Sequence, residues 1–209
     1  MKNLLLCKLM LLSTLSCVFV IASHAKGNEN LSGKHVLMLG LNDNVKSNFY
    51  KGRITNETGI AANMIDKEYN VIIMENIMAS SNGVYKFIPA SAVETSAHKW
   101  TNLIKTNGEG DESYSDISLV PSDEYRNALD MAGAEYLLVL NQHYLKWQDK
   151  PMRTLFHIVS YTLFDKDKNE IYRGNNYFTS MNLEPPDKLR KTSSKTSSRI
   201  ASTIISQIK

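Results

Sequence analysis

The sequence predicts an α/β (α+β) fold, a mixed sheet of about five strands in the order β-α-β-α-α-β-β-β-α with a C-terminal antiparallel meander and a closing helix. Three observations predict it. Between Ala134 and Asn182, three apolar, β-branched and aromatic runs (135–147, 154–164 and 171–178) follow one another with short polar breaks; this composition suits pleated, half-buried strands. Ahead of them, two stretches read as a strand followed by a helix. Behind them, Pro185-Pro186 opens an amphipathic stretch that runs to Ile208, the pattern of a helix docked on the sheet.

The chain begins with Met1-Lys2-Asn3 and Lys8, continues through the apolar segment Leu9 to Ala22 and reaches the small-residue site Ser23-His24-Ala25. That pattern is a secretory signal peptide over 1–25, with cleavage expected after Ala25. A retained anchor is the weaker reading, because the apolar segment is shorter than the roughly 20 residues a membrane span needs. Lipidation of Cys17 is a third reading. Against it, Thr14-Leu15-Ser16 misplaces the branched apolar residue of a lipobox, and Val18 to Ala22 would leave an apolar segment next to the lipid. Removal of 1–25 takes away both cysteines, Cys7 and Cys17, leaving no disulfide, thiol nucleophile or thiolate ligand. Lys2 and Lys8 leave too, so the formal charge of +3 falls to about +1. A general nucleic-acid binder is therefore not expected.

Residues 26–33 are polar and read as a flexible arm, with a single domain over 34–209. His35 to Leu41 is a short continuous apolar run, a buried strand. Asn42 to Gly59 mixes Asn, Lys, Gly and Thr around Phe49 and Tyr50 and reads as a long surface connection. From Ile60 to Ser80, Met64, Ile65, Tyr69, Ile72, Ile73 and Ile77 recur at helical spacings, which predicts a largely buried helix, with a strand at Val71 to Met74 as the rival. Asn82-Gly83 marks a turn, and Val84 to Pro89 alternates as a strand that the proline ends. Ser91 and Glu94 have capping-box spacing ahead of Ala97, Trp100, Leu103 and Ile104, predicting a helix stopped by Asn107-Gly108. Gly108 to Ser118 carries Glu109, Asp111, Glu112 and Asp116 with little that is apolar, so an exposed acidic loop is expected. Pro121-Ser122 starts a short helix that runs to Met131 and is ended by Gly133. Asp149 to Met152 and Asp165 to Glu170 carry the turn residues of the meander, and the last helix spans about Asp187 to Ile208.

The run Ala132-Gly-Ala-Glu-Tyr-Leu-Leu-Val-Leu140, then His157-Ile-Val-Ser-Tyr-Thr-Leu-Phe-Asp165, then a closing helix, resembles the amino-terminal domain of TolB. It is also similar to the envelope domains of the curli-secretion lipoprotein and of penicillin-binding-protein activators. In that group a short helix enters a strand through a small-residue turn, and a hairpin ending in Asp precedes a final helix. The resemblance covers roughly residues 84 to 208. It implies a non-enzymatic periplasmic module that docks partners in the cell envelope, an envelope protein or a cell-wall polymer. The long 42–59 connection and the lack of a following propeller repeat depart from TolB, so a Tol-type function is not implied.

Local motifs for chemistry are sparse. Asp165 to Asn169 begins like a calcium loop, but Glu170 stands where such loops need glycine and Asn176 where they need a bidentate glutamate, which favours a polar turn. His143 and His157, on adjacent predicted strands, would come near each other without a third ligand. No Gly-x-Ser-x-Gly elbow or phosphate-binding glycine pattern occurs. No catalytic residue, metal or cofactor is expected, although an exported hydrolase whose residues come from separated loops remains the alternative. A second alternative is a small-ligand binder using the aromatic meander, whose pocket would need Tyr144, Trp147 and Tyr161; cross-strand packing is the plainer role for these rings and for Tyr172 and Tyr177. On the last helix, Lys188, Lys191, Lys195 and Arg199 recur at spacings of three and four, beside an apolar stripe of Leu189, Thr196, Ile200, Ile204 and Ile208. This basic row is the candidate contact with anionic lipid, cell-wall polymer or an acidic partner, with a solvated face as its plain reading.

Overall fold

The computed structural model describes residues 34–48, 51–81, 83–93 and 96–208. The signal segment 1–25, the arm 26–33, Asn82 of the Asn-Gly turn and Glu94 of the capping pair lie outside the described residues. The apolar run near the start forms β1 (Lys34–Gly40), in which Val36, Leu37 and Met38 are fully buried. It pairs in parallel with β3 (Tyr85–Pro89) on one side and with the first half of β6 (Tyr136–Gln148) on the other. A strand flanked this way is covered on both faces, which explains its unbroken apolar sequence. β6, β7 (Thr154–Asp165) and β8 (Glu170–Ser180) make the antiparallel meander, and the sheet order is β3-β1-β6-β7-β8.

A sixth strand enters where composition suggests a long surface connection. Residues 42–59 contain β2 (Val45–Ser47), parallel to His143–Leu145 of β6, and helix α1 (Lys51–Thr58), whose Ile54 is buried. β1 and β2 lie one after the other along β6, on either side of a register shift between Leu140 and Gln142. The turn between them is held by distant groups. Asn44 and Asn70 exchange carboxamide hydrogen bonds of 2.9 and 3.1 Å, and Asn70 Nδ2 also donates to the Leu41 carbonyl at 2.9 Å. The Asp66 carboxylate accepts the Val45 N–H at 2.8 Å. Because these partners come from another element, local composition could not show the strand.

One face of the sheet is covered by α2 (Ile65–Ala79) and α4 (Pro186–Gln207), which bury Tyr69, Ile72, Ile73, Ile77, Ile200 and Ile204 against Val36, Met38, Leu138 and Leu140. Val71 to Met74 belong to α2, so the rival strand is not formed. Buried Ser193, Ser197 and Ala201 let α4 approach α2 closely. There Asn76 Nδ2 donates to the Arg190 carbonyl and to Ser193 Oγ, both at 2.9 Å, and Glu75 pairs with Arg190.

The opposite face carries α3 (Ser122–Met131), with Tyr125, Ala128 and Leu129 buried and the Trp100 ring stacked on Tyr125 at 5.6 Å between centroids. The helix expected from Ser91 is instead two 3₁₀ segments, Ala90–Ala92 and Ser96–Asn102. Three residues per turn still stack Ala97 under Trp100, and both are fully buried. The acidic segment is not a free loop either. It is a hairpin, β4 (Lys105–Asn107) with β5 (Tyr114–Asp116), docked on the sheet. Ser115 Oγ donates to Asn141 Oδ1 at 2.7 Å, Asn141 Nδ2 to the Ser113 carbonyl at 3.0 Å, and the Gly110 N–H to Gln142 Oε1 at 2.6 Å. Glu109, Asp111 and Glu112 stay exposed, as their charge requires, while the backbone between them is pinned by the sheet.

Candidate functional site

The register shift near Asn141 determines what the far half of the meander displays. Before it, Leu138 and Leu140 face α2 and α4; after it, Leu145 and Trp147 do. One extra residue exchanges the two faces of a strand, so Tyr144, Lys146 and Gln148 point to the side of α3 and the hairpin. That cover ends at Gly110, where an added Cβ would lie 3.7 Å from the Tyr144 ring. Beyond it, among the described residues, the sheet face is open.

The open face is arranged in rungs. Tyr144, Ile158 and Tyr177 are aligned across the three strands, followed by Lys146, Phe156 and Thr179. Phe156 and Ile158 are half-buried, Tyr177 is 60% exposed, and the rings of Phe156 and Tyr177 lie 6.1 Å apart at 54°. Together with Asp111, Lys146, Gln148 and Asn175 they line a groove of about 250 Å³. Asn175 Nδ2 donates to the Asp111 carbonyl at 3.0 Å, which fixes the hairpin as one wall. The surface combines one exposed and one half-buried aromatic ring with amide, ammonium and carboxylate groups at its rim, the composition of a contact surface.

The three rings expected to form a pocket are not brought together. Tyr144 lies on the open face, half-buried. Trp147 and Tyr161 lie on the other, beneath the helices, at 6% and 1% exposure. Tyr161 donates its hydroxyl to Asn176 Oδ1 at 3.0 Å, and the Arg153 guanidinium sits 4.6 Å above the Trp147 ring. Phe156 and Tyr177 take the place assigned to them. Alternation along each run was visible in the sequence, but which parity faces out depends on the shift at Asn141.

His143 and His157 do meet, inside the core. Nε2 of His143 lies 3.2 Å from Nδ1 of His157, whose own Nε2 reaches Ser180 Oγ at 3.1 Å. Phe178 stacks on His157 at 4.3 Å, and the Tyr69 ring meets the edge of His143 at 4.8 Å. Burial pushes His143 down to about 3, and burial with the neighbouring His143 pushes His157 well below the usual range. Burial, with the Glu184 carboxylate, pushes the Tyr69 phenol up. The pair is thus neutral and closed to solvent, as suits packing. Among the described residues no three His, Cys, Asp or Glu side chains stand together to hold a metal ion. Asp165 is occupied by its own turn, accepting the N–H groups of Asp167 and Asn169 at 2.8 and 2.9 Å.

Lys188, Lys191, Lys195 and Arg199 are all exposed along α4. Lys188 pairs with the buried Glu184 at 3.3 Å. Among the described residues no helix is long and apolar enough to cross a membrane.

No family model and no curated protein matches the chain. Among solved structures, the hypothetical protein CT253 from Chlamydia trachomatis is similar at 12% identity and TM-score 0.48, over 84% of this chain and 95% of that one. A PelC dodecamer from Paraburkholderia phytofirmans is similar at 11% and 0.40, over 81% and 90%. The LpoB C-terminal domain from Salmonella enterica follows at 14% and 0.33, over 70% and 82%. At these scores the functional reading rests on the chain's own sequence and surface.

Proposed function

We infer that the protein is an exported, non-catalytic accessory module of the cell envelope, a single domain over 34–209 behind a signal peptide cleaved after Ala25, which docks an envelope protein or cell-wall polymer. The observation that carries the reading is the open face of the meander. Three long strands run past their covering layer and leave Phe156 and Tyr177 on a groove rimmed by Lys146, Asn175 and Asp111. The export signal and the TolB-like run 132–165 support the compartment. The burial of His143 and His157, which bond each other and Ser180 inside the core, supports a role in contact rather than turnover.

A photo-crosslinking residue at position 177 is expected to capture an envelope component in cells, and one at Lys67 on α2 is not. Changing Phe156 and Tyr177 together to alanine should weaken that association about 1,000-fold, since central aromatic anchors contribute about 2 kcal/mol each or more and every 1.4 kcal/mol is tenfold, with the thermal midpoint lowered only slightly. Equal capture from both positions, or full association of the double variant, would contradict the docking face. Turnover of ester, peptide or glycan substrates that one substitution abolishes would favour the hydrolase reading instead.

The basic row is a second contact, for anionic lipid or polymer. Exposed charges are screened within about 10 Å at 0.1 M salt. Association of the protein with vesicles rich in anionic lipid should therefore fall steeply between low and high salt. Changing Lys188, Lys191, Lys195 and Arg199 to Gln should remove that salt-dependent part. A folded quadruple variant that binds as the original does would reduce the row to a solvated face.

A further inference from the structure

The order of the sheet reverses at β1: the chain leaves it through α2 to β3 on one side and returns to β6 on the other. In sheets built this way the crevice beyond the carboxyl ends of the strands, at the reversal, is where ligands bind. Here that place holds a crevice of about 410 Å³, within the usual range for small-molecule sites. It is separate from the open face of the meander. Asn42 and Asp43 at the end of β1, Lys46 of β2 and Glu109 of the β4–β5 hairpin form its walls, and Gln142 of β6 its floor.

Three features mark it as a polar site. Gln142 is only 4% exposed, and its Oε1 accepts the Gly110 N–H, so both Nε2 donors stand at the crevice without a partner among the described residues. With the oxygen held in this way, the amide presents its N–H donors in one fixed direction. The walls carry opposite charges, Lys46 on one and Glu109 on the other. Lys46 is shared with Asp43 at 2.7 Å, but an ammonium has three donors and can serve a second carboxylate. Finally, the hairpin wall is fixed in shape. Gly108 has φ +74°, and a Cβ there would stand 2.5 Å from the Glu112 carbonyl oxygen, so no other residue fits without moving the wall.

We propose that the crevice between β1, β2 and the β4–β5 hairpin binds a small zwitterion, an ammonium and a carboxylate a short chain apart, as in a peptide with free termini. The carboxylate meets Lys46 and Gln142 Nε2, and the ammonium meets Glu109. Backbone amide spectra of the purified full chain, titrated with alanyl-alanine at millimolar concentration, test it. Saturable shifts are expected at Gly108, Gly110 and the Gln142 side-chain amide. Lys46→Gln, on a half-buried position, and Glu109→Gln, on an exposed one, should each weaken binding about tenfold, the range of a charge-assisted hydrogen bond. N-acetyl-alanyl-alanine and alanyl-alanine amide, each lacking one charge, should bind correspondingly less. No saturable shift with alanyl-alanine, equal binding of the blocked peptides, or unchanged binding by both folded variants would each overturn the proposal. Photo-crosslinking at position 177 is independent of it, so either result can fail without the other.

Discussion

Gly40→Ala is expected to destabilise the protein by about 3 kcal/mol. Gly40 ends β1 beneath α2, and a Cβ on it would stand 2.5 Å from Asn70 Cγ and 2.8 Å from Asn70 Nδ2. No real contact is that close, so the Asn70 side chain must leave. Its departure breaks the reciprocal pair with Asn44 and the hydrogen bond to the Leu41 carbonyl. Overpacking costs about 1–3 kcal/mol, and each buried polar group left unpaired about 1–3 more; partial relaxation of the turn brings the sum back to about 3. Gly52, in α1, has nothing within 4 Å of a built Cβ, so Gly52→Ala should be neutral or stabilising by up to about 1 kcal/mol. Urea unfolding of both variants checks this. A Gly40→Ala midpoint equal to that of the parent would show that the Asn44–Asn70 pair does not hold the β1–β2 turn.

Acid should weaken the fold well above the range where carboxylates titrate. In an unfolded chain histidine binds its proton near pH 6.5, whereas burial holds His143 at about 3 and His157 well below the usual range. The unfolded chain therefore takes up protons that the folded one refuses. The stability due to the neutral pair is fully present above about pH 6.5 and is lost as pH falls from there toward 3. At pH 5 His143 alone accounts for about 2 kcal/mol, from 1.36 kcal/mol per unit, and His157 adds in the same direction. The groups facing the pair, Tyr69, Phe178 and Ser180, carry no negative charge that could hold an imidazolium in place. Urea midpoints at pH 7 and pH 5 read the loss. A variant with both histidines changed to glutamine is less stable at pH 7 but should have a flatter profile between 6.5 and 5. An equally steep profile in that variant would place the acid sensitivity elsewhere.

The sequence alone determined the elements whose cause is local. The continuous run at β1, the helical spacing from Ile65 to Ile77, the turn chemistry around Asp165 and the proline pair ahead of α4 each act through neighbours within a turn or two. A period of 2 or 3.6 therefore reveals them. The near approach of His143 and His157 followed the same logic, because a short hairpin brings adjacent strands together.

Tertiary structure decided what depends on partners far along the chain. β2 exists because Asn70 and Asp66 of α2 satisfy a turn that composition marks as loop. The acidic hairpin docks because Asn141, Gln142 and Thr162 offer hydrogen bonds to a backbone whose own side chains are charged. The open face follows from the same strand. A register shift at Asn141 sends Trp147 into the core and Tyr144 toward solvent, and sheet pairing then sets Phe156 and Tyr177 beside it. Strand parity beyond such a shift is a property of the pairing, and no pattern within one run contains it.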